Sequence, residues 1–270
     1  MPKLYAFGSS TTIWMWPSWA EIMAYDQGME CVNYGMPGAG NSAIQHRMLQ
    51  SSIHDKPTAQ DWVVVLWTTW SYEDRVVGTP DKSHWLTDGN ILNTRRRHET
   101  YLKRNKQILN ERITPKWVDQ FWSEEWDVIK NCTAIIMAQH IMPIKVQMSH
   151  VSFIPEYSPW WKTSTELYPQ KKYYESLMPS MIQCPDIAMS NDYNIADEVD
   201  KKFGTKDDHP DIMWHASVCE HAYKQMGMDP IKSSTWDWIH AEHERIKQAD
   251  VEQLQKEFDA KVNMNPFING

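Results

Sequence analysis

The chain has 270 residues, which fits one large domain, or one domain with additions, that buries a full core. Its formal net charge of -8 argues against nucleic acid as the main partner. No run of about 18 apolar residues of the kind that spans a membrane occurs, and no signal peptide is recognisable at the start of the chain.

Cysteine and histidine spacing does not indicate a metal site. The four cysteines are scattered without CxxC spacing, so structural zinc and a disulfide framework are both poorly supported. His140, His150 and His215 have no metal-ligand spacing either, and roles in the core or on the surface are expected for them. We therefore expect free thiols, no metal and no cofactor.

The first dozen residues have the pattern of a buried strand followed by a polar turn. Leu4 to Phe7 is a short apolar run without helical period, and it stops at Gly8-Ser9-Ser10. A helix-like stretch follows Pro17. In an open α/β sheet, ligands bind at the carboxyl edge of the strands, where Ser10 is expected. The alternative is that these residues form an ordinary turn.

Two further strands with polar endings follow. Residues 30–34 read as the second strand, and a glycine-rich loop, 35–41, leads into a helix over 42–52. The loop is either a tight connection or a source of backbone N–H groups that point into a site. Residues 61–67 form a continuous β-branched run, which favours a central parallel strand. Polar residues 68–75 end it.

The remaining elements are predicted in alternation, which indicates a parallel sheet covered by helices on both faces. In order they are an irregular excursion over 76–94, helices over 95–112 and from 114 to about 140, a strand over 144–149, an aromatic insertion or lid over about 153–190, and helices over 194–203, 213–226 and 238–262. The last helix has a single apolar face, formed by Ile239, Ile246, Val251, Leu254 and Phe258. We predict a catalytic domain over 1–230 and a helical extension over 231–270.

The candidate chemistry needs a nucleophile, a base and a carboxylate that orients the base. Ser10 supplies the hydroxyl, while His209 and Asp207 supply the other two groups far along the chain.

These pieces, in this order on an alternating α/β chain, resemble the SGNH or GDSL hydrolase family. The resemblance rests on three blocks: Gly8 to Thr11, Asn33 to Asn41, and Asp207 to Pro210 with His215. Trp and Pro after the first block are also similar to divergent SGNH-like proteins of phages.

The resemblance implies a flavodoxin-like three-layer α/β/α sandwich and serine-dependent hydrolysis of esters. Ser10 would attack the ester, the amides of Ser10 and Gly38 would hold the oxyanion, His209 would be the base and Asp207 its partner. The substrate would be a small ester or an acylated glycan. Because no signal peptide is recognisable, the expected location is cytoplasmic or virion-associated.

The sequence departs from the family pattern at three positions. Ser9 replaces the acidic residue of the first block, at a position that varies in the family. Trp70 stands where the oxyanion Asn belongs, and Thr68, Thr69, Ser71 and Asn41 are the candidate substitutes. Lys206 occupies the position of the family's Asp, so Asp207 must serve from one position closer to the histidine.

Two other expectations concern the surroundings of the site. Glu73 or Arg75 faces the site, or both belong to an exposed salt-bridged turn. The C-terminal helix packs on the body or mediates self-association or virion assembly. Two functions stay open at this point: an esterase or O-deacetylase, and a catalytically weakened fold that binds glycan or has a structural role.

Overall fold

The fold is described from a computed structural model of the full chain. It describes residues 1–68, 72–77, 84–90, 124–142, 147–152, 181–183 and 209–263, together with residues 120, 176, 177 and 179. The predicted helices over 95–112 and 194–203 lie outside the described residues, as does most of the predicted aromatic insertion.

A five-stranded parallel sheet forms the centre of the molecule. The strands of the described chain are β1 (Lys3–Phe7), β2 (Glu30–Asn33), β3 (Trp62–Trp67), β4 (Tyr72–Val77), β5 (His84–Asn90), β6 (Gln147–Ser152) and β7 (Met181–Gln183). The sheet order is β2-β1-β3-β6-β7, and all four neighbouring pairs are parallel. Counted within this sheet, that order is 2-1-3-4-5, which is the flavodoxin-like order of doubly wound α/β folds.

Helices cover both faces of the sheet. The described helices are α1 (Trp19–Gln27), α2 (Asn41–His54), α3 (Glu124–Ile141), α4 (Ile212–Met226), α5 (Ser233–Gln248) and α6 (Val251–Asn263). Alternate strand residues point to opposite faces. Leu4 and Val64 therefore join the core with α1, α4, α5 and α6, whereas Tyr5 and Val63 join the core with α2 and α3.

The three-layer α/β/α sandwich is thereby confirmed. Its strand order and its two separate apolar layers follow from the paired strands and the buried residues. The predicted strands over 30–34 and 61–67 and the helices over 42–52 and 213–226 agree with β2, β3, α2 and α4 to within two residues at each end.

The irregular structure expected over 76–94 is wrong for residues 76–77 and 84–90, which lie in strands. β4 and β5 instead form an antiparallel two-stranded sheet beside the main one. Backbone pairing stabilises these strands although their residues are largely polar and show no alternation. Strand β6 begins three residues later than predicted, and β7 lies inside the region predicted as an aromatic insertion.

The C-terminal extension contains two helices instead of the single predicted one. Helix α5 ends at Gln248, and the backbone of the next residue, Ala249, is extended with ψ of 147°. The apolar residues Ile239, Ile246 and Leu254 are buried in the same core cluster as Leu4 of β1. The extension thus packs on the body of the protein, while the boundary at 230/231 stays a prediction. Within the described part of the chain, no helix is long and apolar enough to cross a membrane.

Candidate functional site

The turn after β1 places Ser10 at the carboxyl edge of a central strand. The Thr12 amide donates to the Ser9 carbonyl at 2.9 Å, which closes the turn. Ser9 is buried, and its Oγ lies 3.2 Å from Thr11 Oγ1. Ser10 keeps 9% of its surface exposed. A side chain at Gly8 would meet Thr12 Oγ1 at 2.0 Å, so the tight turn requires glycine there.

The glycine-rich loop after β2 lies directly against this turn. The Met36 amide donates to the Gly8 carbonyl at 3.0 Å, and Asn33 Nδ2 donates to the Thr12 carbonyl. Gly38 has a φ of 75°, a left-handed conformation that favours glycine. The first two sequence blocks are therefore neighbours in space.

Asn41 joins the start of α2 to the end of β3. Its Oδ1 accepts from the Thr68 amide at 2.9 Å and from Thr68 Oγ1 at 3.0 Å, and its Nδ2 donates to the Thr68 carbonyl at 3.2 Å. Asn41 is fully buried and Thr68 is 2% exposed. These bonds hold the edge of the sheet together, and a role of either residue toward an oxyanion stays a prediction.

The β4–β5 sheet is anchored at the same edge through Asp74. Its Oδ2 accepts from the Ala43 amide in the first turn of α2 at 3.2 Å. Glu73 and Arg75 flank Asp74 on β4, but their side chains lie outside the described residues, as do Trp70, Thr69 and Ser71. Whether they face the site stays a prediction.

His209 contacts the segment that follows the Ser10 turn. Trp14 stacks on the His209 ring with centroids 3.5 Å apart and planes 17° apart. Trp16 Nε1 donates to the Pro210 carbonyl at 2.9 Å, a buried bond between residues 194 positions apart. The fold thus brings the third sequence block against the residues that follow the first.

The pairing of Ser10 with His209 and Asp207 stays a prediction. Asp207 lies outside the described residues. The described residues also contain no cluster of three or more His, Cys, Asp or Glu side chains able to hold a metal ion.

Two buried histidines near the sheet have lowered pKa values. Burial lowers the pKa of His215 to about 3, and the positive fields of His209 and Lys261 add to this effect. Burial also lowers the pKa of His150 to about 4, and its Nδ1 accepts from Trp67 Nε1 at 3.1 Å. Both rings are neutral at pH 7 and lie in the core, which is one of the two locations expected for them.

Sequence reasoning missed Trp14 and Asp74 as parts of this site. The stacking partner of Trp14 is far away in the sequence, so local spacing gives no signal for the contact. Asp74 belongs to the polar stretch predicted to end β3, and its contact with the first turn of α2 accompanies the β4–β5 pairing, which the sequence does not predict. The aromatic and proline residues directly after the Ser10 block are a sequence signal that this segment belongs to the site.

No protein-family model matches the sequence, and a search of curated proteins gives no match.

Several solved structures resemble this chain at low sequence identity. A member of the lipolytic G-D-S-L family from Veillonella parvula is 12% identical, with a TM-score of 0.38, covering 83% of this chain and 97% of that one. An acetyl xylan esterase from the rumen bacterium Butyrivibrio proteoclasticus is 14% identical, with a TM-score of 0.41, covering 84% of this chain and 64% of that one. A lipase from goat rumen metagenome is 12% identical, with a TM-score of 0.39, covering 86% of this chain and all of that one. TM-scores of this size leave the function to be argued from the chain's own residues.

Proposed function

We propose that the protein is an SGNH-type serine ester hydrolase that acts on a small ester or an O-acylated carbohydrate. The observation that carries the proposal is the set of contacts that joins the Ser10 turn and the residues after it to the Gly38 loop and to the His209–Pro210 segment. The Ser10 turn contacts the Gly38 loop on one side, and the residues after the turn contact His209 and Pro210 on the other.

Each block has one role in the proposed reaction. Ser10 Oγ attacks the ester carbonyl while the imidazole of His209 takes its proton, and Asp207 orients that imidazole. The backbone amides of Ser10 and Gly38 stabilise the negative oxygen of the tetrahedral intermediate. The proton on His209 then passes to the leaving alkoxide, and water repeats the sequence to release the acid.

Labelling with a serine-directed organophosphorus or sulfonyl reagent tests the proposal. We expect mass spectrometry to find one adduct, at Ser10, and Ser10→Ala to abolish both the adduct and the hydrolysis of small activated esters. Ser9→Ala is the matched control, since this neighbouring hydroxyl is already in contact with Thr11, and the adduct should persist in it. An adduct at another residue, or ester hydrolysis unchanged in Ser10→Ala, would contradict the proposal.

The second candidate function is a weakened SGNH-like fold that binds glycan or serves a structural role, for example in a virion. Trp70 in the place of the oxyanion Asn favours it, and Asn41 is fully buried with its amide donating to Thr68. The loss of one oxyanion donor costs about a hundredfold to a thousandfold in turnover. A folded protein that binds an acylated glycan without reacting at Ser10 would support this function over the first.

Self-association or virion assembly through the C-terminal helix belongs to this second candidate. In the isolated chain, Ile239, Ile246 and Leu254 are already buried against the protein's own core. That observation supports packing on the body, and the assembly and the cellular location stay proposals.

A further inference from the structure

Helix α6 lies against the segment that follows the nucleophile turn. The Phe258 ring packs on Trp14 with centroids 5.3 Å apart. Lys261 Nζ lies 3.5 Å from the Trp14 carbonyl oxygen and 3.4 Å from that of Trp16. A helix from the predicted extension thus contacts both tryptophans that bind the His209–Pro210 segment.

Lys261 is also linked to the turn that carries Ser10. Its Nζ lies 2.7 Å from Glu21 Oε1, and Glu21 Oε2 accepts from the Ser18 amide at 2.6 Å. Ser18 Oγ then donates to the Thr12 carbonyl at 2.7 Å. Because these groups form a connected network in which Ser18 is fully buried, the ion pair has more structural consequence than an isolated surface pair.

The two sets of contacts link α6 to the two candidate catalytic groups. Trp14 contacts both α6 and the His209 ring, whose centroid lies 3.5 Å from that of Trp14. Glu21 and Ser18 connect Lys261 of α6 to Thr12, whose amide closes the turn around Ser10. Lys261 is also near enough to His215 to lower the pKa of that buried ring.

We propose that α6 completes the candidate site, with Phe258 and Lys261 as positioning residues for the Ser10 turn and for His209. Helix α6 lies in the extension over 231–270, which the sequence predicts to be separate from the catalytic domain. Its catalytic consequence rests on the proposed hydrolase function, whereas its effect on the His209 ring does not.

Ser10 and His209 lie on different loops, so their relative position depends on the contacts that hold those loops. One cation holds two main-chain carbonyls and one carboxylate, so its removal leaves three acceptors without that charge. The Trp14–Trp16 segment is then held by fewer contacts, and the Trp14–His209 stack loosens. A displacement of about 1 Å in a catalytic group costs up to about a hundredfold in rate.

The test compares Lys261→Met with Lys256→Met, a variant of an exposed lysine on the same helix. The first readout is the rate at which diethyl pyrocarbonate modifies His209, followed by mass spectrometry. The second is the rate of organophosphorus labelling at Ser10. We expect Lys261→Met and Phe258→Ala to speed His209 modification several-fold and to slow Ser10 labelling by about tenfold to a hundredfold. Lys256→Met should match the wild type.

Lys261→Arg separates positioning from a general loss of stability. It keeps a cation beside Glu21, so both rates should return toward the wild-type values. If Lys261→Met and Phe258→Ala modify His209 at the wild-type rate, the proposal is wrong even where their melting temperatures fall. If wild-type Ser10 is not labelled at all, the hydrolase function fails, and the His209 rates still decide whether α6 positions this ring.

Discussion

At the scale of single residues, buried polar groups hold the carboxyl edge of the sheet in one arrangement. Asn41 and Thr68 exchange three hydrogen bonds while both are buried. Loss of one partner would leave buried groups without bonds, at a cost of about 1–3 kcal/mol for each group. The candidate site is therefore built on interactions that are costly to break.

A second residue-scale consequence concerns pH. Burial lowers the pKa of His215 to about 3, below the ordinary value of 6.5. Between about pH 6.5 and pH 3 the unfolded chain therefore binds a proton that the folded protein does not. We predict that the free energy of unfolding falls as the pH is lowered through this window, by up to about 1.4 kcal/mol per pH unit for this residue.

Urea unfolding at pH 7.0, 6.0 and 5.0 checks this prediction. His215→Gln should reduce the pH dependence, because the variant has no imidazole to titrate at that position. His240→Gln removes an exposed histidine and should keep the wild-type dependence. Equal dependence in the wild type and His215→Gln would show that His215 is not buried in its neutral form.

At the scale of elements, the β4–β5 sheet is held to the start of α2 by a charged contact. Asp74 Oδ2 accepts from the Ala43 amide, and the carboxylate lies near the positive end of the helix dipole. A Cβ atom on Gly40 would lie only 2.8 Å from the Tyr72 carbonyl oxygen, so the two elements touch through main chain as well.

We predict that Asp74→Ala loosens this sheet and lowers the free energy of unfolding by about 1–3 kcal/mol, because a buried charge-assisted hydrogen bond is lost. Limited proteolysis should cut the variant between residues 72 and 90 faster than the wild type. Val76→Ala is the control on the same strand, since Val76 is 56% exposed and its truncation should change little. An unchanged proteolysis rate in Asp74→Ala would exclude this anchoring role.

At the scale of the whole molecule, the C-terminal helices share one core with the first strand. Ile239, Ile246 and Leu254 are each at most 4% exposed and lie in the core cluster that contains Leu4 and Ala6. Asp26 of α1 adds a polar link, because it accepts from Thr235 Oγ1 at 2.8 Å and from the Lys232 amide at 2.9 Å. The tail is thus integral to the packing.

We predict that truncation after Met228 severely destabilises the protein. Burial of an aliphatic side chain contributes about 1.5–3 kcal/mol, so the loss of three such side chains is comparable to the whole stability of a typical domain. Thermal unfolding followed by circular dichroism measures the effect, and truncation after Asn263, which keeps α5 and α6 complete, is the control. A Met228 truncation as stable as this control would show that the extension is a separate unit.

The sequence by itself determined the elements whose signal lies within a few neighbouring residues. The β-branched run 61–67 predicted β3, and the helices over 42–52 and 213–226 agree with α2 and α4, because burial periodicity is a local property. It also predicted that the polar residues after β1 and β3 lie at one edge of the sheet, because parallel strands all end at the same edge.

Only the tertiary structure decided the features that depend on remote partners. The polar strands β4 and β5 are stabilised by pairing with each other, and the three-residue β7 by pairing with β6, so neither pattern is visible locally. The contact of Trp14 with His209 joins residues 195 positions apart, and the approach of Lys261 to Trp14 joins residues 247 positions apart. Such contacts are fixed by how the helices and strands pack together, and no short-range pattern encodes that packing.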